Sequence, residues 1–371
     1  MTRPSRAGSR TPLTARVGVA FGAAVTVCFV TGVLSHLIQH PQPWFGWPTR
    51  PVWLYRFTQG LHVASGIAAV PLLLVKLWSV WPKLFERPVI GSPVRALERA
   101  SIAVLVASVL FQLSTGLLNI AQWYVFGFYF PPVHYAVAWL AVGAVVVHVA
   151  VKLPVIRQAL GEPVDGAPGN VPAPQVSRRA ILRGTWVAVG AATVATAGQA
   201  VPWLRPVSVL APRSGDGPQG VPVNRSAAEA RVLGSARAAD YRLTVTNGVV
   251  TQTFSLAQLQ AMPQATRTLP IACVEGWSVS AEWTGVVLAD LLATVGGSGD
   301  ADVRMVSLEP PGPYSRTVLP ARHARDADTL IALRLGGREL DLDHGYPCRL
   351  IAPSRPGVLQ TKWLSRIEVV P

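Results

Sequence analysis

One cysteine of this chain sits where chemistry, rather than packing, is expected. Cys273 follows an apolar run and opens the turn Val274-Glu275-Gly276-Trp277-Ser278, which leads to Trp283-Thr284-Gly285. A thiolate is a soft metal ligand and a nucleophile, and a glycine beside it lets a bulky group approach the backbone. Metal ligand, hydrolytic nucleophile and buried structural thiol are the open readings. No His or Asp stands at protease-like spacing from Cys273, which counts against the nucleophile. Three cysteines are too few for a disulfide framework. Cys28 lies in an apolar run as a packing residue, and a Cys273–Cys348 disulfide is the alternative in an oxidising compartment.

The second set of reactive side chains is histidine. His36, His40, His62, His134 and His148, five of the seven, fall in or beside long apolar stretches. An ionisable residue in a membrane span is costly and therefore a functional candidate. His134 and His148 are 14 residues apart, as are His62 and Lys76. On a helix that is nearly four turns, so each pair shares a face with about 21 Å between its members. Imidazoles at matched depth on antiparallel helices can clamp a haem iron from both sides. The pattern resembles membrane-bound b-type cytochromes, which implies one or two b haems. The outer ligand pair would be His62 with His134, with His36 as the rival partner. The inner pair would be His148 with Lys76, unless Lys76 snorkels to the interface. The alternative is that these histidines bond backbone carbonyls or line a quinone pocket.

The elements that position these groups divide the chain in two. Its mean hydropathy is +0.36 and only 14% of its 371 residues are charged, too apolar for a wholly soluble protein. Four stretches, roughly 14–38, 57–81, 100–123 and 133–156, reach the ~20 residues a bilayer crossing needs, and a weaker fifth covers about 184–204. The net charge of +14 is concentrated before and between these runs, and no nucleic-acid-reading motif accompanies it, which excludes nucleic acid as the expected partner. The N-terminal region carries Arg3, Arg6, Arg10 and Arg16; the region between the second and third spans carries Lys76, Lys83, Arg87, Arg95 and Arg99; the region between the fourth and fifth carries Lys152, Arg157, Arg178, Arg179 and Arg183. The opposite loops carry only Arg50 and Arg56. The N-terminus is expected in the cytoplasm and residues 206–371 outside, with Trp44, Trp47, Trp53, Trp78, Trp81 and Trp123 as interfacial anchors.

Residues 158–176 read as a Pro/Gly-rich linker. Ser177-Arg178-Arg179-Ala180-Ile181-Leu182-Arg183 then looks like an internal twin-arginine export signal, with Ala195-Thr196-Ala197 as a candidate cleavage site. The expected organisation is a four-span haem domain over 1–157, a junction with the fifth span over 158–214, and an outer α+β domain over 215–371. In the last, Tyr241–Val250 alternates and carries the Asn247-Gly248 turn of a hairpin, Ser255 caps a short helix, 284–294 reads as another helix, and Val303–Leu308 and Ile367–Val370 read as strands.

The segments Cys273-Val-Glu-Gly-Trp-Ser, Trp283-Thr-Gly285, His344-Gly-Tyr-Pro-Cys-Arg349 and Gln360-Thr-Lys362-Trp together resemble the sulfite-oxidase superfamily of molybdenum enzymes over most of 220–371. The resemblance implies that Cys273 binds molybdenum beside a pterin dithiolene, that His344 and Arg349 contact the pterin, and that Gln360, Thr361 and Lys362 cradle its phosphate. It also makes Asn224 and, more loosely, Ser307 pterin neighbours. Where sulfite oxidases carry an Asn-Arg-type sequence after the cysteine, Glu275-Gly276-Trp277 stands here, similar to bacterial periplasmic reductases related to methionine-sulfoxide reductase. A carboxylate near the metal disfavours sulfite. The expectation is a bacterial cytoplasmic-membrane enzyme that passes electrons from the quinone pool through haem b to a molybdenum-molybdopterin site reducing an S- or N-oxide. The same parts would serve an oxidase, and a haem carrier with a metal-free outer binding domain is the rival. A pterin cofactor is inserted in the cytoplasm, so the twin-arginine translocase, which carries folded domains, is the implied export partner.

Overall fold

The computed structural model describes residues 11–86, 92–164, 177–211, 217–297 and 299–370. Arg3, Arg6, Arg10, Arg87 and residues 165–176 of the expected linker lie outside the described residues, as do 212–214 of the expected junction. The chain divides into two compact units. One holds residues 1–34, 60–198 and 203–212, and the other holds residues 35–59, 199–202 and 213–371. The second unit thus includes the connection between the first two long helices as well as the C-terminal domain.

Five long helices come first: α1 (Thr11–Gln39), α2 (Leu54–Leu84), α3 (Pro93–Ile120), α4 (Phe130–Gly161) and α5 (Arg178–Thr196). All five are long and apolar enough to cross a membrane. α1, α2 and α4 run past the expected spans at both ends because polar ends continue the helical hydrogen-bond ladder, whereas α3 stops at Ile120 and α5 at Thr196, short of the expected 123 and 204. α4 reaches Gly161 and so absorbs the first residues of the expected linker, and α5 begins six residues before the expected fifth span. The Ser92 side chain caps α3 by accepting from the Arg95 amide, and Ser177 caps α5 by accepting from the Ala180 amide. Within the helical unit Leu13, Val17 and Leu72 form one buried cluster, and Leu73, Val109 and Ala141 another. Outside these seams Leu74, Trp78, Trp81, Val146, Val147 and Val151 are exposed. An apolar surface of this extent calls for lipid rather than water.

The second unit has a mixed architecture of two five-stranded sheets. In chain order it comprises α6 (Leu233–Ala236), β1 (Arg242–Thr246), β2 (Thr251–Ser255), α7 (Leu256–Ala261), β3 (Ala265–Ala272), β4 (Ser278–Val287), α8 (Leu288–Ala293), β5 (Val303–Ser307), β6 (Arg316–Leu319), α9 (Ala321–Ala324), β7 (Leu330–Leu335), β8 (Arg338–Glu339), β9 (Arg349–Ile351) and β10 (Leu364–Val369). The first sheet runs β2-β1-β10-β5-β6; the second runs β3-β4-β7-β8, with β9 also on β7. β1 lies parallel to β10, and the other pairings are antiparallel. Leu243, Leu288, Leu291, Leu292, Met305 and Leu350 fill the main core.

Local chemistry explains the elements. The Asn247 side chain accepts from the Val249 and Val250 amides, and Gly248 takes a φ of 89°, which makes the expected hairpin turn. Ser255 and Gln258 form a reciprocal capping box on α7. The expected helix over 284–294 is a correction: Thr284–Val287 completes β4, and only Leu288–Ala293 is helical. The β-branched residues of that run pair with β7, Val286 facing Ile331 and Val287 facing Leu330, and pairing overrides the helical pattern. None of the three cysteines is in a disulfide. Cys348 instead lies 3.2 Å from the Tyr241 hydroxyl, and burial pushes its thiol up to about 12.

Candidate active site

Cys273 follows β3 and begins the five-residue turn into β4. The Cys273 amide donates to the Trp277 carbonyl at 2.8 Å, and the Gly276 amide to the Cys273 carbonyl at 3.1 Å. Gly276 has a φ of 86°, which L side chains rarely adopt, so this tight turn needs glycine there. Cys273 is buried together with Ile271, Trp277 and Trp283. Glu275 accepts from the Trp277 indole at 3.3 Å.

A small pocket opens beside this thiol, lined by Val221, Pro222, Asn224, Ile271, Cys273, Trp277, His344, Arg349, Gly357 and Lys362. The structure therefore brings five expected site residues, Cys273, Asn224, His344, Arg349 and Lys362, around one cavity. Gln360 and Thr361 are different. The Gln360 amide is spent on both backbone groups of Ala352, and the Thr361 hydroxyl lies 2.7 Å from that of Thr317. Both side chains are buried and hold the walls instead of lining the pocket. Ser307 donates to the Lys362 carbonyl at 2.9 Å, which fixes the lysine backbone from behind.

The polar groups are held unusually for buried charges. Arg349 donates to the carbonyls of His344 at 3.0 Å and Gln360 at 3.2 Å, and its guanidinium lies over the Trp283 ring at 5.2 Å. Its Nε is buried without a partner, and burial pulls the guanidinium well below its ordinary range, down to about 9. Lys362 donates to the carbonyls of Arg225 at 2.5 Å and Asp343 at 2.9 Å and reaches Asn224 Oδ1 at 3.5 Å. Burial, then the Arg349 charge, pulls its ammonium down to about 7, against the opposing pull of Glu309, Asp343 and Cys273. Glu309 itself is ion-paired with Arg225 at 3.1 Å. Among the described residues neither Arg349 nor Lys362 has an ion pair. His344 Nε2 donates to the Pro218 carbonyl at 2.5 Å, and burial holds the ring down to about 4. The ring is neutral at pH 7, with Nδ1 the unprotonated nitrogen.

A buried guanidinium and a half-buried ammonium, neither of them ion-paired among the described residues, suit an anion. A pterin phosphate is such an anion, so these residues fit a molybdopterin. Among the described residues no group of three or more His, Cys, Asp or Glu is placed to hold a metal ion. A site with one protein thiolate needs no such group, because the cofactor brings its own ligands.

Sequence reasoning missed the pocket wall at Val221, Pro222 and Gly357 and the role of Trp283 as the platform under Arg349. The Trp283-Thr-Gly285 motif was the available signal for the latter. At Gly285 a Cβ would meet the Ile331 carbonyl oxygen at 2.1 Å, which explains the glycine but not the tryptophan.

In the helical unit, His62 Nδ1 donates to the Cys28 carbonyl at 2.8 Å, with Thr31 Oγ1 at 3.2 Å. His134 Nδ1 lies 2.7 Å from Thr115 Oγ1. His148 is part-exposed on α4. His36 falls in the other unit and stacks on His40 with ring centres 4.3 Å apart. The Lys76 ammonium donates to the Thr14 carbonyl at 2.9 Å.

Fold and site together define a molybdopterin-binding oxidoreductase domain preceded by apolar helices. Residues 230–371 match the family described as oxidoreductase molybdopterin binding domain. The chain is 30% identical over 156 residues to the mitochondrial sulfite oxidase of Drosophila melanogaster, covering 35% of this chain and 27% of that protein. It is 34% identical over 113 residues to the sulfite oxidase of Arabidopsis thaliana, covering 26% and 29%. It is 31% identical over 134 residues to an Azospira oryzae protein named "Putative protein-methionine-sulfoxide reductase subunit YedZ1", covering 36% and 50%. The matched segments thus span half or less of these relatives' own lengths.

Proposed function

We propose that this chain is a membrane-bound molybdenum enzyme of the bacterial cytoplasmic membrane that reduces an S- or N-oxide at Cys273. Its electrons come from the quinone pool through haem b in the helical unit. The observation that carries the reading is the pocket in which a buried thiol meets the Arg349 guanidinium and the Lys362 ammonium, neither ion-paired among the described residues.

When bound, the molybdenum cofactor supplies two-electron oxygen-atom transfer. The residues of the chain bind and orient it. Cys273 gives the protein thiolate. Arg349 presents a planar guanidinium suited to paired bonds with phosphate, and Lys362 a point charge. The neutral His344 ring, tied to Pro218 through Nε2, offers Nδ1 as an acceptor to a pterin N–H. Asn224, beside the Lys362 ammonium, closes the rim. Trp277 and Trp283 keep water from the thiolate and the guanidinium, which strengthens each electrostatic contact. The Glu275 carboxylate follows the ligand by two residues and repels a sulfite dianion, so a neutral oxide is the better substrate. One relative is named for methionine-sulfoxide reduction, which agrees with that choice.

The haem part rests on His62 and His134. Both rings are held through Nδ1, the arrangement by which an iron-binding imidazole is oriented. His148 and His36 are the further candidate ligands. Export by the twin-arginine translocase is supported by Arg178 and Arg179 at the capped start of α5. It leaves the N-terminus in the cytoplasm and the catalytic domain outside.

A viologen-driven assay on detergent-purified full chain tests the substrate reading. Oxidation of reduced viologen by at least one sulfoxide or N-oxide, absent in Cys273→Ser, is expected. Sulfite oxidation with no oxide reduced would overturn the reductase reading.

A further inference from the structure

Residues 35–59, which comprise the end of α1, the connection over 40–53 and the first turns of α2, belong to the same compact unit as the catalytic domain. Their contacts are specific. The Trp47 indole, expected as an interfacial anchor, donates instead to the Ser354 carbonyl at 2.8 Å. Arg50 pairs with Asp326 at 3.1 Å and Asp328 at 2.6 Å. Arg56 donates to the Ser280 hydroxyl at 2.7 Å. Tyr55 and Ile38 are buried in one cluster with Ala272, against which Phe45, Trp47 and Leu359 pack. Val52 packs on the cluster that contains Cys273.

These contacts converge on the Cys273 turn. Tyr55 covers Ala272, the residue before the thiol. Gln59 Nε2 donates to the carbonyl of Val274, the residue after it, at 3.3 Å. The Tyr55 hydroxyl, 3.1 Å from Ser35 Oγ, donates to Gln59 Oε1 at 3.5 Å. The Val274 carbonyl can only accept, which sets Nε2 toward it and leaves Oε1 to accept from the Tyr55 hydroxyl. The opposite pocket wall is gripped as well, since Ser354 and Leu359 flank Gly357, where a Cβ would stand 3.7 Å from the Cys273 Cα.

We propose that residues 35–59 are a built-in cap of the catalytic domain, and that Tyr55 and Gln59 are positioning residues for the Cys273 thiolate. The proposal rests on reading Cys273 as the molybdenum ligand. Groups bonded around a ligand orient it and tune the metal it holds. Here the Gln59 N–H offsets the negative end of the Val274 carbonyl dipole beside the sulfur. Without that donor the surroundings of the thiolate become more electron-rich, and the oxidised metal is favoured.

The test is a redox titration of the full chain in detergent, followed by the Mo(V) electron paramagnetic resonance signal, on the parent, Gln59→Leu, Tyr55→Phe and Arg50→Ala. Molybdenum and pterin contents are measured alongside. In Gln59→Leu the Mo(VI)/Mo(V) ratio at the parent's midpoint is expected to move up to tenfold toward Mo(VI), which is about 59 mV for one electron. Tyr55→Phe, which preserves the buried volume, should move it the same way by less. Arg50→Ala, which cuts a cap anchor away from the turn, should lower thermal stability and leave ratio and g-values alone. Unchanged ratios in Gln59→Leu and Tyr55→Phe would overturn the proposal, as would an equal shift in Arg50→Ala. If Gln59→Leu loses its metal, Tyr55→Phe decides. A parent chain without molybdenum would instead refute the underlying ligand reading.

Discussion

Replacing Arg349 by methionine should push the protein in opposite directions with and without its cofactor. The guanidinium is 3% exposed and has two carbonyls and a tryptophan face as partners. The fall to about 9 corresponds to roughly 5 kcal/mol of unfavourable charge burial, at about 1.36 kcal/mol per pH unit. Methionine removes that cost. It also leaves the His344 and Gln360 carbonyls without their donor, at about 1 kcal/mol each, and loses the stacking on Trp283, worth about 1 kcal/mol. The cofactor-free variant should therefore come out more stable than the cofactor-free parent by about 2 kcal/mol. With cofactor the sign reverses. A charged hydrogen bond to phosphate contributes about 1.5–3 kcal/mol, so retention should fall roughly 10- to 100-fold. The assay is hydrogen exchange of amides in the catalytic domain on detergent-purified full chain made in cells without the cofactor, paired with pterin release from chain made with it. A cofactor-free variant less stable than its parent by several kcal/mol would refute the reasoning. Arg349 would then be a structural pin already satisfied by its carbonyls.

Acid should weaken the catalytic domain through two neutral histidines. Burial holds His344 down to about 4 and His323 down to about 3, the latter with the Arg355 charge adding. Their unfolded forms titrate near 6.5, so the unfolded chain binds more protons as pH falls below that value. Stability should drop between pH 6.5 and 4, approaching about 2.7 kcal/mol per pH unit when both count, and His323→Leu should halve the slope in a pH series of thermal melts. Gly345→Ala should cut pterin content, because φ is 104° there and a Cβ would stand 3.1 Å from the Cβ atoms of both Arg349 and Lys362. Measured pterin equal to the parent's would contradict that. His62→Ala should remove a b-type absorption band that shifts on reduction, while molybdenum content stays; an unchanged spectrum ends the His62 ligand assignment. Lysine at both Arg178 and Arg179 should leave the catalytic domain inside the cell, and normal export in a protease-accessibility assay would refute the signal.

Much of the site was legible because its residues lie in short runs whose chemistry is local. Cys273 with Gly276 predicts a tight turn, and His344, Arg349 and Lys362 fall within 19 residues, so one β-strand and its flanks bring them to one wall. The spans were legible from sustained hydropathy, but their ends were not, because polar residues extend a helix as readily as apolar ones. The run 284–294 misled because its apolar content suits either period, and only pairing with β7 settles Thr284–Val287 as strand. Gln360 and Thr361 sit in the right segment, but the turn points their side chains at Ala352 and Thr317. The cap was illegible for a plainer reason. Gln59 and Val274 are separated by 215 residues, and nothing in either local pattern announces the other.

The most direct test is X-ray absorption at the molybdenum edge on the full-length parent and on Cys273→Ser. The account predicts about one molybdenum per parent chain, with a thiolate sulfur beyond the pterin pair that vanishes in the serine variant. A parent chain that holds no molybdenum, or a sulfur shell unchanged by the substitution, would contradict it.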